Sequence, residues 1–438
     1  MTPLLIRDGH IIDPTQGLDE TGSLLIDKGG IIWLGRGEAT PPHTDYGTVS
    51  ARGLIVCPGF IDLHCHLRQP GFEQKESIAT GTKAASRGGF STVCCMPNTE
   101  PPLDSRKTIE QVKDVAEKEG VVRVLPVGCM SRGRQGIELA RLSELASAGV
   151  VGFSDDGSPM MDTGLMRRAM EYSSILNLPV IDHCEHTELT GDGVMNWSML
   201  SIELGLPGMP SAAEEIMVAR DLALAGMTGG WLHVAHVSTA ESVELIRRAK
   251  ARGIRVTAEV TPHHLTLTEE KVRGFNTNAK VNPPLRTEKD RKALVEGLKE
   301  GVIDIIATDH APHTTAEKKK DFIQAPFGIS GFETALGSLM KLVHSGELTL
   351  STLLSKLTCE PARLIGDKYG KLGTLAVGAV ADVTIFDPDR NWVVDTSKFA
   401  SKGKNTPLAG STLKGRVMAT IYKGNIVYKD NSVKITSK

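Results

Sequence analysis

The chain has 438 residues, 40% hydrophobic and 23% charged, with a formal net charge of −2. That is too long for one ordinary domain, suits a large barrel with a smaller module attached, and excludes a disordered chain. A polyanion-binding surface is excluded as well, because no long basic block is present and Lys318-Lys319-Lys320, edged by Glu317 and Asp321, reads as a solvated face.

The opening MTPLLIRDGHIIDP lacks a leader pattern, and no stretch holds eighteen uninterrupted apolar residues. A soluble, cytoplasmic protein without membrane or nucleic-acid partners is expected. Seven cysteines without a Cys-x-x-Cys pair argue against a disulfide framework, and Cys94 and Cys95 in STVCCMPN read as small buried hydrophobes.

Up to residue 57, short β-rich runs (LLIRDGHIID, SLLIDKGGIIWLG, GLIVCPG) alternate with turn residues, and the texture returns in residues 367–438 with GAVADVTIFDP, NWVVD and VMATIYKGNIVYKD. The two ends are expected to join as one small β-sandwich module. Between them, residues 58–366 hold eight apolar runs: IDLHCHL, STVCCMPN, VRVLPVGCM, VVGFSDD, PVIDHCE, WLHVAHVS, RVTAEVTPHH and DIIATDHAP. Most precede an amphipathic stretch, such as SRKTIEQVKDVAEKEG or TAESVELIRRAKARG. The fold class is therefore α/β, a (β/α)8 TIM-type barrel whose site lies at the C-terminal strand ends.

In five of the eight runs, a histidine or aspartate at or near the C-terminal end reads as a candidate ligand. His64 and His66, two apart, leave one face of the first strand. His183 and His236 end the neighbouring fifth and sixth strands, and Asp309 ends the eighth. Asp155 or Asp156, in GFSDDG, supplies a carboxylate able to bridge two ions, and pattern alone does not choose between them. Singly, each reads as a core histidine or a turn aspartate. Gathered at one rim, they read as metal ligands, with Asp309 also a proton carrier. Paired divalent ions lower the pKa of bound water, which points to hydrolysis, or its reverse, at a carbonyl carbon.

GFIDLHCHLRQPG at 59–71 and ATDHAPHTTAEK at 307–318, with MPNT, GFSDDG, DHCE, HVST and KVNPPLR in order between them, resemble the dihydroorotases of the amidohydrolase superfamily nearly end to end. The resemblance implies reversible cyclisation of N-carbamoyl-L-aspartate to L-dihydroorotate in pyrimidine synthesis. Water would attack as a metal-bridged hydroxide, with Asp309 as the catalytic proton carrier. Two divalent ions, expected to be zinc, would be held by His64, His66 and Asp309 and by His183 and His236. Asp156 would bridge them, as in the bacterial class I dihydroorotases, whereas hydantoinases bridge with a carboxylated lysine, and GFSDDG holds no lysine.

For the substrate, the resemblance implies Arg68 and Asn98 at its carboxylate with His313 helping, Asn282 with the backbone of Phe327 and Gly328 near its ring, and His66 as a further substrate-binding residue. An arginine fork suits a carboxylate. Gln69 stands where relatives commonly carry glutamate, and His186 after DHCE is a further variation. The weighed alternatives are a hydantoinase- or allantoinase-like cyclic amidase, and a non-catalytic scaffold for aspartate transcarbamoylase. A homodimer and a complex of the active enzyme with that transcarbamoylase are left open.

Overall fold

The structure, a computed structural model, describes residues 2–37, 39, 41–42 and 45–437. Strands from both chain ends form one nine-stranded sheet. Its main path runs Asn425–Lys429, Thr412–Tyr422, Val383–Val393, Ile55–Pro58, Leu4–Asp13, Leu18–Asp27, Gly30–Arg36. The short strands Gly47–Ser50 and Ile435–Ser437 attach beside Leu4–Asp13. The ends meet where Ile55–Pro58 pairs antiparallel with Val383–Val393, setting Val56 opposite Ile385.

Buried aliphatic residues supply this sheet with its own core, including Ile6, Leu24, Val56, Val383, Ile385 and Ile421. Each such side chain is worth roughly 1.5–3 kcal/mol when fully buried. Buried Asp13 adds a polar staple, accepting from the Leu375 amide at 2.7 Å and the Thr374 hydroxyl at 2.8 Å.

The middle of the chain closes into a parallel barrel. Phe60–Cys65, Phe90–Cys95 and Arg123–Pro126 pair in that order. Phe153 continues the ring by bridging Gly128 and Val180. Val180–Asp182, Leu232–Val234, Val256–Val260 and Ile305–Ile306 follow. A bridge from His310 back to Cys65 closes it, so all eight apolar runs are staves of one barrel.

The first two staves are buried along their whole length, as strands covered on both faces must be, which is why they read as continuous apolar runs. Ile61, Leu63, Cys94, Leu125, Ile181 and Ile305 pack together in one core cluster. The two helices expected after the second and sixth staves form as Arg106–Glu119 and Ala240–Ala251. Each is N-capped by a hydroxyl: Ser105 accepts from the Thr108 amide, and Thr239 from that of Ser242. Barrel and sheet are joined by a buried pair, Arg123 donating to Asp382 at 2.7 Å and to Thr92 at 2.6 Å. All seven cysteines are free and buried. No helix among the described residues is long and apolar enough to cross a membrane.

Candidate metal centre and active site

At the C-terminal rim, the strand-end histidines turn towards one carboxylate. His64 Nε2, His236 Nε2 and His183 Nδ1 lie 3.4, 3.6 and 3.8 Å from Asp156 Oδ1, and His66 Nε2 lies 3.6 Å from Oδ2. Asp309 Oδ1 is 3.0 Å from His66 Nε2 and 3.7 Å from His64 Nε2. Two groups, His64–Asp156–His236 and His64–His66–Asp309, have ligand atoms close enough to share an ion.

Asp155 takes no part in this cluster. Its carboxylate accepts from the Met130 amide at 2.9 Å and the Ser131 amide at 3.1 Å, and it also bonds the Ser131 hydroxyl. Adjacent residues on an extended chain send their side chains to opposite sides, so one aspartate secures a loop while the other faces the rim.

The histidines are oriented from behind. His64 donates through Nδ1 to Glu259 Oε1 at 2.7 Å, and His66 through Nδ1 to Asn98 Oδ1 at 2.9 Å, leaving both Nε2 atoms on the inner side. The buried His64 Nε2 has no hydrogen-bond partner, and His183 Nδ1 and His236 Nε2 sit 2.9 Å apart. Nitrogens that converge so closely on one carboxylate fit a cation. Electrostatics agree: burial opposes charge on His64, yet Glu259 and Asp156 lift it well above its ordinary value. Burial would likewise raise Asp156 and Asp309, but the surrounding histidines hold both well below the usual carboxylate range.

Three residues here, Arg68, His236 and Asp309, have φ of +59°, +32° and +45°. Non-glycine residues in this region store strain, and such strain concentrates at functional sites.

Above the cluster lies a cavity of about 310 Å³. His66, Arg68, Asn98, Asp156, His183, His236, Asn282, Asp309, His313, Phe327 and Gly328 all line it, with His64 buried beneath. Arg68 lies with a guanidinium nitrogen 3.4 Å from His313 Nε2, and His313 Nε2 donates to the Phe327 carbonyl at 2.7 Å. The Gly328 amide is already donated to the Lys280 carbonyl at 2.9 Å, so in this conformation it does not face the cavity as a free donor. Gln69 accepts from the Ile78 amide at 2.9 Å, at the start of the Ile78–Arg87 helix.

Two carboxylates were missed by sequence reasoning. Glu259 orients His64 and also reaches His233 at 3.1 Å. Glu185 reaches His183 Nε2 and accepts from Asn282, both at 2.8 Å. A charged residue inside an apolar stave was the available signal for Glu259, since such a charge has to be paired. One expectation is corrected: Lys318 is not on a solvated face. It is buried, its amine donates to main-chain carbonyls, and burial pushes it down to about 7.

A family model described as the amidohydrolase family matches residues 55–427. The dihydroorotase of Caldanaerobacter subterraneus subsp. tengcongensis is 50% identical, the match covering 98% of each chain. That of Geobacter sp. strain M21 is 49% identical over 97% of this chain and 99% of its own. The chain belongs to the dihydroorotases of the amidohydrolase family. Membership makes it a hydrolase of small molecules that uses divalent metal, in keeping with the two clusters above. Among solved structures, an L-hydantoinase from Arthrobacter aurescens superposes with a TM-score of 0.88 at 25% identity, covering 100% of this chain and 98% of that one. The TIM-barrel amidohydrolase fold is thus shared with hydantoinases, while the sequence sides with dihydroorotases.

Proposed function

We propose that this dihydroorotase interconverts N-carbamoyl-L-aspartate and L-dihydroorotate at the 310 Å³ cavity, where His64, His66 and Asp309 would hold one divalent ion, His183 and His236 a second, and Asp156 would serve both. The observation that carries the reading is the Asp156 carboxylate with four inward histidine nitrogens 3.4–3.8 Å away. Imidazole and carboxylate donors in this number suit zinc. Bound there, the ions supply a Lewis acid for the ring carbonyl and lower the pKa of water.

The chain's own residues do the rest. Arg68, beside Asn98 and His313, offers a guanidinium fork to the substrate's carboxylate. Asn98 has two N–H groups, one donated to Asp156 at 3.3 Å. Asn282 and the Phe327–Gly328 backbone form the walls against the ring. Asp309, held ionised, takes the proton of the attacking water as its oxygen adds to the ring-amide carbon. It returns that proton to the ring nitrogen as the C–N bond breaks. Ring closure runs the same steps backwards: Asp309 takes the proton of the attacking nitrogen as the C–N bond forms and passes it to the oxygen that leaves as water, while the proton taken up overall enters on the carboxyl group that is closed.

The domain division proposed with this function is a barrel of residues 58–366 and a β module of 1–57 with 367–438. The nine-stranded sheet drawn from both ends supports it. Purified metal-loaded protein should turn over both substrates. Asp309→Asn should abolish both directions with metal content measured in the same sample, and a fully metallated variant that keeps substantial activity would remove Asp309 from this role.

A further inference from the structure

Lys318 closes the Thr315–Lys318 helix and is 6% exposed. Its Nζ donates to three main-chain carbonyls: Pro326 at 2.8 Å, Thr277 at 2.9 Å and Lys280 at 3.4 Å. The neighbouring carboxylate, Glu317, pairs instead with Lys75 at 2.9 Å. Thr277 returns a bond from its hydroxyl to the Lys318 carbonyl at 2.5 Å. Burying an amine is costly unless its hydrogen bonds are made, and an apolar side chain would fill this space at lower cost. What the amine adds is a link. It has at least two N–H donors in either protonation state, enough for the Pro326 and Thr277 carbonyls together.

Those carbonyls belong to two neighbouring segments that both line the cavity, one through Pro326, Phe327 and Gly328 and the other through Val281 and Asn282. Lys280 makes a second link in the opposite sense. Its Nζ donates to the Ile323 and Phe322 carbonyls at 2.8 and 2.9 Å, lies 4.5 Å from the centre of the Phe327 ring, and its carbonyl accepts from the Gly328 amide. The two lysines thus cross-tie the segments, and neither approaches the metal cluster through these bonds.

We infer that Lys318 is a positioning residue for substrate: by tying the Pro326 and Thr277 carbonyls it fixes the separation of the two walls that grip the ring. The inference rests on the proposed function, since those walls matter only if the ring sits between them. A residue acting in this way sets binding of the ring more than the chemical step, because the histidines, Asp156 and Asp309 are held by other bonds.

The test measures kcat, KM and metal content for dihydroorotate hydrolysis in wild type and variants. Lys318→Met should raise KM about tenfold with kcat changed by less than about threefold and metal content unchanged. Lys318→Gln, which keeps two N–H donors, should recover part of the loss. Lys75→Met removes a nearby cation but no carbonyl link, and should keep the wild-type KM. If Lys318→Met does not fold, Thr277→Val loosens the same tie from the other side and should raise KM about threefold. Folded Lys318→Met or Thr277→Val with KM within about twofold of wild type would overturn the inference, as would loss of metal or of kcat alone in either of them. Failure of the proposed function itself reads differently: the wild-type protein would not turn over dihydroorotate at all.

Discussion

Glu259 holds His64 by its outer nitrogen, Oε1 to Nδ1 at 2.7 Å, and this contact leaves His64 Nε2 facing Asp156. A histidine fixed from behind is a better-aimed and more basic ligand. Glu259→Gln keeps the shape but loses the charge, so metal affinity should drop by roughly 10–100-fold. Titration with a chelator while following bound metal measures it, and unchanged affinity would leave Glu259 a purely structural group.

The two neighbouring aspartates should separate cleanly. Asp156→Asn should lower metal content, because a neutral amide is a poor bridging ligand. Asp155→Asn should leave metal largely in place but destabilise the fold, since it weakens the acceptor for the Met130 and Ser131 amides. Elemental analysis beside thermal melting distinguishes them, and greater metal loss at Asp155 would reverse the assignment.

The barrel was legible for a physical reason: staves buried on both faces must be continuous apolar runs, and polar residues at their ends stand out. His64, His66, His183, His236 and Asp309 could be picked in this way. The choice between Asp155 and Asp156 needed the resemblance, because adjacent aspartates in a turn look alike. Glu259 and Lys318 were not legible. Glu259 acts through His64, 195 positions away in the chain. Lys318 sits in a run that resembles a solvated face, and its burial is decided by carbonyls at Thr277 and Pro326. Non-local partners leave no local pattern.

Arg68→Met should cut kcat/KM for dihydroorotate, with a cost of about 2–5 kcal/mol, while metal content stays at the wild-type level. The arginine lines the cavity but is not within the ligand clusters. Near-normal kinetics in a fully metallated variant would remove it from substrate binding.

Glu333 carries a pH dependence of stability. Burial raises its carboxyl from 4.5 to about 7, only partly offset by the Ala400 and Ser401 amides and Arg87. A raised folded-state value contributes stability fully present below about 4.5 and lost as pH rises through about 7. Ionised Glu333 therefore costs the fold up to about 3 kcal/mol above neutrality. Glu333→Gln should melt higher than wild type above pH 7, with the advantage shrinking as pH falls towards 4.5. A difference that does not vary with pH would show that Glu333 is not the titrating group.

Rates in the two directions should move oppositely with pH. Hydrolysis starts from ionised Asp309 and releases a proton overall, so it should rise with pH, whereas ring closure takes a proton up and should fall. Both profiles belong to the coupled metal, water and aspartate system. Profiles that move together would contradict the proton-carrier role.

A cavity that reads a ring bearing a carboxylate has to tell dihydroorotate from dihydrouracil, the same ring without that group, and kcat/KM for the two substrates measures this. In metal-loaded wild-type protein the ratio should be at least about 100-fold in favour of dihydroorotate, as expected when a site built to pair a charge meets a substrate lacking it. Equal turnover of the two, or preference for dihydrouracil, would contradict it.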